Sequence, residues 1–341
     1  MSQSPPTKTP DRLVFAGEAI VDLVMRVPAL PERGGDMLAG SSSVQVGGGF
    51  NIMAAAARQG LPVVYAGGHG TGPWGDKVRT ALGAEGIALL RAPDPGRDTG
   101  FDVALVEADG ERTFVTSLGA ETLGEPGAWD AVPVRGGDAV YVSGYGLVAP
   151  ESGPILGAWA AALPPDVLLF TDPGPLVADI PRAVLEPVLN RCDWWSCNQR
   201  EAALLSRTSD PVEAARRLAG RTGGEGVIVR TGRSGCVLAV REDTGQMALS
   251  LIPAPAVVAV DTTGAGDAHS GVFLAGLAAA LSPAGAARRA NAAAALTVTR
   301  AGPATSPTRA ELDLFLAAGG PPATTAGGPP ATAAGGPAAT P

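Results

Sequence analysis

The residues best equipped for chemistry lie in the stretch DTTGAGDAHSG, Asp261 to Gly271, which sets two carboxylates on either side of a glycine turn. A Gly-Ala-Gly turn that opens a helix leaves backbone N–H groups unpartnered, and with the helix dipole they favour an anion. Asp267 brings a negative charge to the same place. Phosphoryl transfer needs both: the amides of Gly264, Ala265 and Gly266 would stabilise charge on the transferring group while Asp267 takes the proton of the attacking hydroxyl. The plainer role is a helix cap, the default for an Asp near a helix start, and it is weakened by Asp261, Thr262 and Thr263 just ahead. His269, two residues on, points roughly 200 degrees away around a helix and reads as a packed side chain.

Positioning such a turn takes a strand before it and a helix after it. Apolar strand-like runs recur at RLVFAG, VVYAG, IALLRA, AVYVSG, VLLFTD, WWSCN and GVIVRTG, separated by alanine-rich, helix-compatible stretches. This alternation predicts an α/β domain, a mostly parallel sheet covered on both faces. Two segments break the rhythm, one leading into Gly47 and one from Gly100 to Leu118 with a turn signal at Asp109-Gly110; they predict a small antiparallel sheet, a candidate lid. Trp194 and Trp195 read as strand-end packing.

The 341 residues, 45% hydrophobic and 17% charged, suffice for a large core. A net charge of -8 argues against a nucleic acid or an anionic membrane as partner, and no apolar run of about eighteen residues occurs. Cys192, Cys197 and Cys236 show no CxxC pairing and suit a reducing cytoplasm. Only Lys8 and Lys77 are lysines, so any chemistry on phosphates leans on arginine, metal ions or backbone amides. The expected organisation is a disordered leader over 1–11, one domain over 12–318 with its lid at about 23–46 and 100–121, and a disordered tail over 319–341, where GGP recurs every eight residues.

One competing reading is an NAD-dependent oxidoreductase. Gly70, Gly72 and Gly75 satisfy G-x-G-x-x-G between a strand and a helix, and Asp94 follows where a ribose-binding carboxylate would sit. Against it, Gly67, Gly68 and His69 separate the strand from the motif, and Pro73 removes an N–H. A structural glycine loop is the alternative. No G-x-x-x-x-G-K-[ST] occurs, which excludes a P-loop enzyme.

DTTGAGDAHSGVF and GGGFNIMAAAARQG (Gly47 to Gly60) resemble the C-terminal and N-terminal signatures of the PfkB, or ribokinase-like, carbohydrate kinases. GEAIVD, NQRE and VRTGRSG resemble three weaker family motifs in the family's order, and the likeness spans about Arg12 to Leu316. The resemblance implies a three-layer α/β/α ribokinase-like domain and ATP-dependent phosphorylation of a primary hydroxyl of a sugar, or of a nucleoside. It implies Asp267 as catalytic base beside the Gly264–Gly266 anion hole, with Asp22, Gly48 and Asn51 on the acceptor. Asn198, Thr231, Gly232, Gly235 and Asn291 would serve ATP. Glu201 would serve Mg²⁺, through water, and Asp261 and Thr263 a K⁺ ion. A cytoplasmic enzyme, dimeric through its lid strands, is the further expectation. The chain departs from the family pattern at His269, at Gly72 where the family's glycine loop has an aspartate, at GGGFN, which lacks a lysine, and after Asp172, where no arginine follows.

Overall fold

The computed structural model describes residues 8–108 and 110–319. Residues 1–7 of the expected leader, Asp109 of the expected hairpin turn and the expected tail from residue 320 lie outside the described residues.

Runs of β-branched and apolar residues pair into a nine-stranded sheet with β1 (Arg12–Ala16) near its middle. The other elements follow as β2 (Ala19–Arg26), β3 (Ser41–Gly48), α1 (Phe50–Arg58), β4 (Val63–Tyr65), α2 (Pro73–Ala84), β5 (Ala88–Leu89), β6 (Phe101–Val106) and β7 (Arg112–Ser117). Next come β8 (Asp138–Ser143), α3 (Gly144–Val148), α4 (Ser152–Ala161), β9 (Leu168–Asp172), α5 (Arg182–Arg191), β10 (Trp194–Asn198), α6 (Gln199–Ser206) and α7 (Pro211–Ala219). The chain closes with β11 (Gly226–Arg230), β12 (Cys236–Arg241), β13 (Met247–Ile252), α8 (Ala265–Ala278), α9 (Pro283–Thr297) and α10 (Arg309–Ala317).

The main sheet runs β13-β12-β11-β10-β9-β8-β1-β4-β5, parallel from β11 to β5 and antiparallel at the β12–β13 edge. Burial on both faces explains why β8 and β9 are apolar almost without a break. Leu13 and Phe15 face a core with Met53, Phe273 and Leu312, whereas Val14 and Ala16 face a second core with Leu156, Leu185 and Leu218. Helices therefore cover both sides, the three-layer arrangement. Trp194 and Trp195 are fully buried, and Trp194 meets Phe273 edge-on at 4.9 Å between ring centroids.

A second sheet, β3-β2-β6-β7, stands apart, with β2 antiparallel to β3 and parallel to β6. Only Gly17 and Glu18 separate β1 from β2, so the chain passes directly from one sheet to the other there. The β12–β13 hairpin lies beyond the strands that the sequence predicts. β12 is buried over Cys236–Ala239, whereas β13 is half-exposed or exposed up to Ile252, as the outermost strand of the sheet.

Candidate active site

Helix α8 starts from Gly264, whose φ of 73° a side chain would resist, so the Gly264–Gly266 amides open the helix with Asp267 in its first turn. Asp267 is met by the start of α1: Asn51 Nδ2 donates to Asp267 Oδ2 at 2.9 Å, and Asn51 Oδ1 accepts from the Ala304 amide at 3.0 Å. The two helices come this close because Gly271 leaves room for the α1 backbone; a Cβ there would lie 2.5 Å from the Ile52 carbonyl oxygen. The Asp267 carboxyl is pushed up to about 6, by burial above all, against the Asn51 hydrogen bond; Asp172 raises it further and Arg230 lowers it. A buried carboxylate poised near neutrality suits a general base.

Arg230, at the end of β11, is the cation beneath this base. Its Nη1 donates to Asp172 Oδ2 at 2.5 Å, to Ser196 Oγ at 2.9 Å and to Ser270 Oγ at 3.2 Å, while Nη2 lies 3.7 Å from Glu201 Oε2. A Cβ at Gly266 would sit 3.7 Å from its Nε, which places the guanidinium against the amide turn. Burial lowers the Arg230 pKa, but the Asp172 and Glu201 charges outweigh it and the net shift is upward. Glu201 belongs to a capping box: its carboxylate accepts from the Asn198 amide at 2.7 Å and from Asn198 Nδ2 at 2.6 Å, and Asn198 Oδ1 accepts from the Glu201 amide. Each Glu201 oxygen thus accepts one hydrogen bond from Asn198, and no cluster of three or more metal-type side chains occurs among the described residues.

On the acceptor side, β2 carries Asp22 to the inner end of a cavity of about 240 Å³ between the second sheet and the segments around Asp261 and Gly302. The Asp22 carboxylate occupies the space beside Gly47 that a side chain would need. Its pKa is pushed up to about 7 by burial, then by Asp102, then by Asp267. Glu18, between the sheets, accepts from Ser143 Oγ at 2.7 Å and is likewise pushed to about 7 by burial. Tyr145, half exposed at the start of α3, packs its ring beside Gly174, and its hydroxyl is pushed up to about 12 by burial, then by Glu18, Asp267, Asp102 and Glu201. Asp261 is tied to Arg112 of β7, to the Thr263 amide and hydroxyl and to the Gly302 amide. Its carboxylate is therefore committed, and a monovalent cation beside it would rely on carbonyl oxygens.

The remaining expected residues fall into place differently. Gly48 adopts φ 58° at the end of β3, next to the turn into α1. Thr231, Gly232 and Gly235 form a tight turn after β11, closed by the Thr231 amide donating to the Gly235 carbonyl at 2.8 Å; Gly232 faces open space. Asn291 is buried in α9 and spends its amide on the Ile252 carbonyl at 2.9 Å. His269 is buried too, its imidazole pushed down to about 3 by burial and then by Arg230, which keeps it neutral.

The Gly70 loop is a correction to the oxidoreductase reading. Asp98 accepts from the Trp74 amide at 3.1 Å and the Gly75 amide at 2.8 Å, so the chain's own carboxylate fills the anion position at the start of α2. The same carboxylate crowds the space beside Gly72, where the family's loop would carry its aspartate. Five site residues were not singled out from sequence: Glu18, Asp98, Asp102, Tyr145 and Arg230. For Arg230 the sequence held only a general pointer: with two lysines, chemistry on phosphates leans on arginine, metal ions or backbone amides.

Comparison with known proteins agrees with this geometry. The model of the pfkB family carbohydrate kinases matches residues 10–310. The uncharacterized sugar kinase YegV of Escherichia coli (strain K12) is 35% identical over 90% of this chain and 95% of its own length. Ribokinase from Thermotoga maritima superposes with a TM-score of 0.75 at 24% identity, covering 90% of this chain and 99% of that one. The structure of Arabidopsis thaliana ribokinase complexed with ribose and ATP has a TM-score of 0.70 at 23% identity, with coverages of 90% and 99%. The fold is thus ribokinase-like, no helix among the described residues is long and apolar enough to cross a membrane, and the chain is a phosphotransferase of the pfkB family of carbohydrate kinases.

Proposed function

We propose that the protein transfers the γ-phosphoryl group of ATP to a primary hydroxyl of a sugar, with Asp267 as general base. The observation that carries this reading is the Asn51–Asp267 contact beside the Gly264–Gly266 turn, which sets a buried carboxylate next to an amide cradle and within the electrostatic reach of Asp22. Asp22, Gly48 and Asn51 hold the acceptor, so that its hydroxyl meets Asp267 and its oxygen faces the cradle. The Gly264, Ala265 and Gly266 amides take the charge that spreads over the transferring group, as fixed dipoles that need no reorganisation. Thr231, Gly232 and Gly235 form the turn against the nucleotide phosphates, with Asn198 beside them and Asn291 behind the adenine.

Mg²⁺, when bound with the nucleotide, supplies further charge neutralisation at the phosphates. Glu201 orients its water shell, and Arg230 offsets the Asp172 and Glu201 charges. Carbonyls near Asp261 and Thr263 are the place for K⁺. The reaction belongs in the cytoplasm, where ATP and reduced thiols coexist. The exposed lid side chains Val115 and Leu118 support a homodimer through the second sheet. A nucleoside acceptor is the second reading, favoured by the exposed Tyr145 ring, on which a base could stack.

An ADP-release screen over pentoses, hexoses, sugar phosphates and nucleosides, with Asp267→Asn as control, tests the assignment. Turnover on one acceptor, abolished in the control, is the expected result; no ADP release above background on any of them overturns it.

A further inference from the structure

Among the buried carboxylates of the described residues that the mechanism leaves unused, Glu121, Asp138 and Asp193 hold backbone amides or basic side chains, whereas Asp102 has an oxygen with no partner. Asp102 of β6 stands directly opposite Asp22 of β2 in the parallel register, and opposite Thr116 of β7 on its other side. Side chains in register on neighbouring strands share a face, and alternate residues along one strand do too. Asp102 therefore shares the face of Asp22, Val24, Ala104 and Val106, which lines the cavity and carries Arg26 and Arg112 at its far end, and it lies just behind that lining. It lies one step inward from Ala104, towards Asp267.

Asp102 is 7% exposed, and its Oδ1 is buried without a hydrogen-bond partner. A buried carboxylate oxygen without a donor is costly, so its retention on this face calls for a donor that arrives with the ligand. The surrounding charges say which kind. Asp22 feels Asp102 and Asp267, both negative. The nearest cations are committed or remote. Arg112 is bound to Asp261, Arg230 to Asp172, and Arg26 sits four residues along β2 from Asp22, about 13 Å at ~3.3 Å per residue. Asp22 and Asp102 thus face each other at the end of β2 away from Arg26 with no positive side chain paired to either, while Arg230 serves Asp267 and Arg26 and Arg112 line the cavity farther along.

We propose that Asp102 is a specificity-determining residue which, paired with Asp22, accepts hydrogen bonds from adjacent hydroxyls of an uncharged polyhydroxyl acceptor and rejects acceptors that place a phosphate or carboxylate there. This rests on the kinase reading above and narrows it to a neutral sugar or the ribose of a nucleoside. Once both are ionised, above about pH 7, two carboxylates side by side offer acceptors only, which matches a vicinal diol, a pair of donors at fixed spacing. A sugar phosphate or sugar acid brings an acceptor-only anion into the same space.

The test is calorimetric and uses no ATP. Wild type, Asp102→Asn and Asp102→Ala are titrated with neutral sugars and nucleosides, and with the sugar acids and sugar phosphates that correspond to them. The expected result is that wild type prefers a neutral compound by about tenfold or more over its anionic counterpart, and that Asp102→Asn weakens the neutral compound by about tenfold and narrows that preference. Equal binding of a neutral acceptor by wild type and Asp102→Asn, or a wild-type preference for the anion, overturns the proposal. The isosteric Asp102→Asn decides it even if Asp102→Ala fails to fold. Because binding is read directly, a failed ADP-release screen would sink the kinase reading without deciding this one.

Discussion

Asn51 and Asp267 open two different helices, α1 and α8, and a 2.9 Å hydrogen bond from Asn51 Nδ2 to Asp267 Oδ2 joins the two openings. The bond does more than hold the chain together. It ties Asp267 to the Ala304 segment that Asn51 also grips, and on the proposed reading it leaves the second Asp267 oxygen for an incoming hydroxyl.

Asp267→Asn should keep acceptor and nucleotide affinity while kcat falls about a hundredfold or more, since the amide preserves shape and removes the base. Steady-state kinetics beside calorimetry check this. Turnover within a few-fold of wild type would leave Asp267 as a helix cap.

Removing the donor should move a pKa. The Asn51 hydrogen bond favours the ionised carboxyl of Asp267, which titrates at about 6, so Asn51→Ala should raise that value. A base must be deprotonated to work, so activity is lost as pH falls through the pKa. The acid limb of kcat/KM should therefore lie near 6 in wild type and shift to higher pH in the variant. An unmoved limb would mean that another group controls it.

Arg230→Met should cost about 3–5 kcal/mol of stability, because Asp172 and Glu201 would be left buried without their cation. Urea denaturation reads this directly. A loss below about 1 kcal/mol would show that water replaces the guanidinium.

Asp22→Asn should separate stability from function. Asp22 titrates at about 7 in the fold against an ordinary 3.8, so the folded chain holds that proton more tightly than the unfolded one. The stability this confers is full below about 4 and lost as pH rises through 7. At pH 8 the variant no longer buries a charge against Asp102 and Asp267, and its Tm should rise by about 2–4 °C for each kcal/mol relieved. At pH 4 the gain should vanish. The acceptor KM should rise far more than that for ATP, and a Tm gain equal at both pH values would contradict the charge argument.

The strand and helix alternation was legible because parallel strands covered on both faces must be apolar throughout, and Asp267 and Asn51 were legible because each sits in a compact local signature. Partnerships were not. Arg230 draws Asp172, Ser196, Glu201 and Ser270 from four elements, and nothing in VRTGRSG points to them. Asp102 opposes Asp22 only because β2 pairs with β6, a register set by distant parts of the chain. At the Gly70 fingerprint the intervening residues and Pro73 already spoke for a structural loop, but what closes it was not legible, because Asp98, which fills the anion position, comes from beyond the next strand.

Gly271 carries a last consequence. It touches no reactant, yet a methyl group there would press on the Ile52 carbonyl oxygen at 2.5 Å and on the Ala55 Cβ at 2.9 Å, forcing α1 and α8 apart. On the proposed reading, the reaction's ruler is thus made of missing atoms: the span between Asn51 and the base is set by how closely two backbones can lie. Enlarging this residue should then slow turnover by parting the two helix openings, although it carries no functional group of its own.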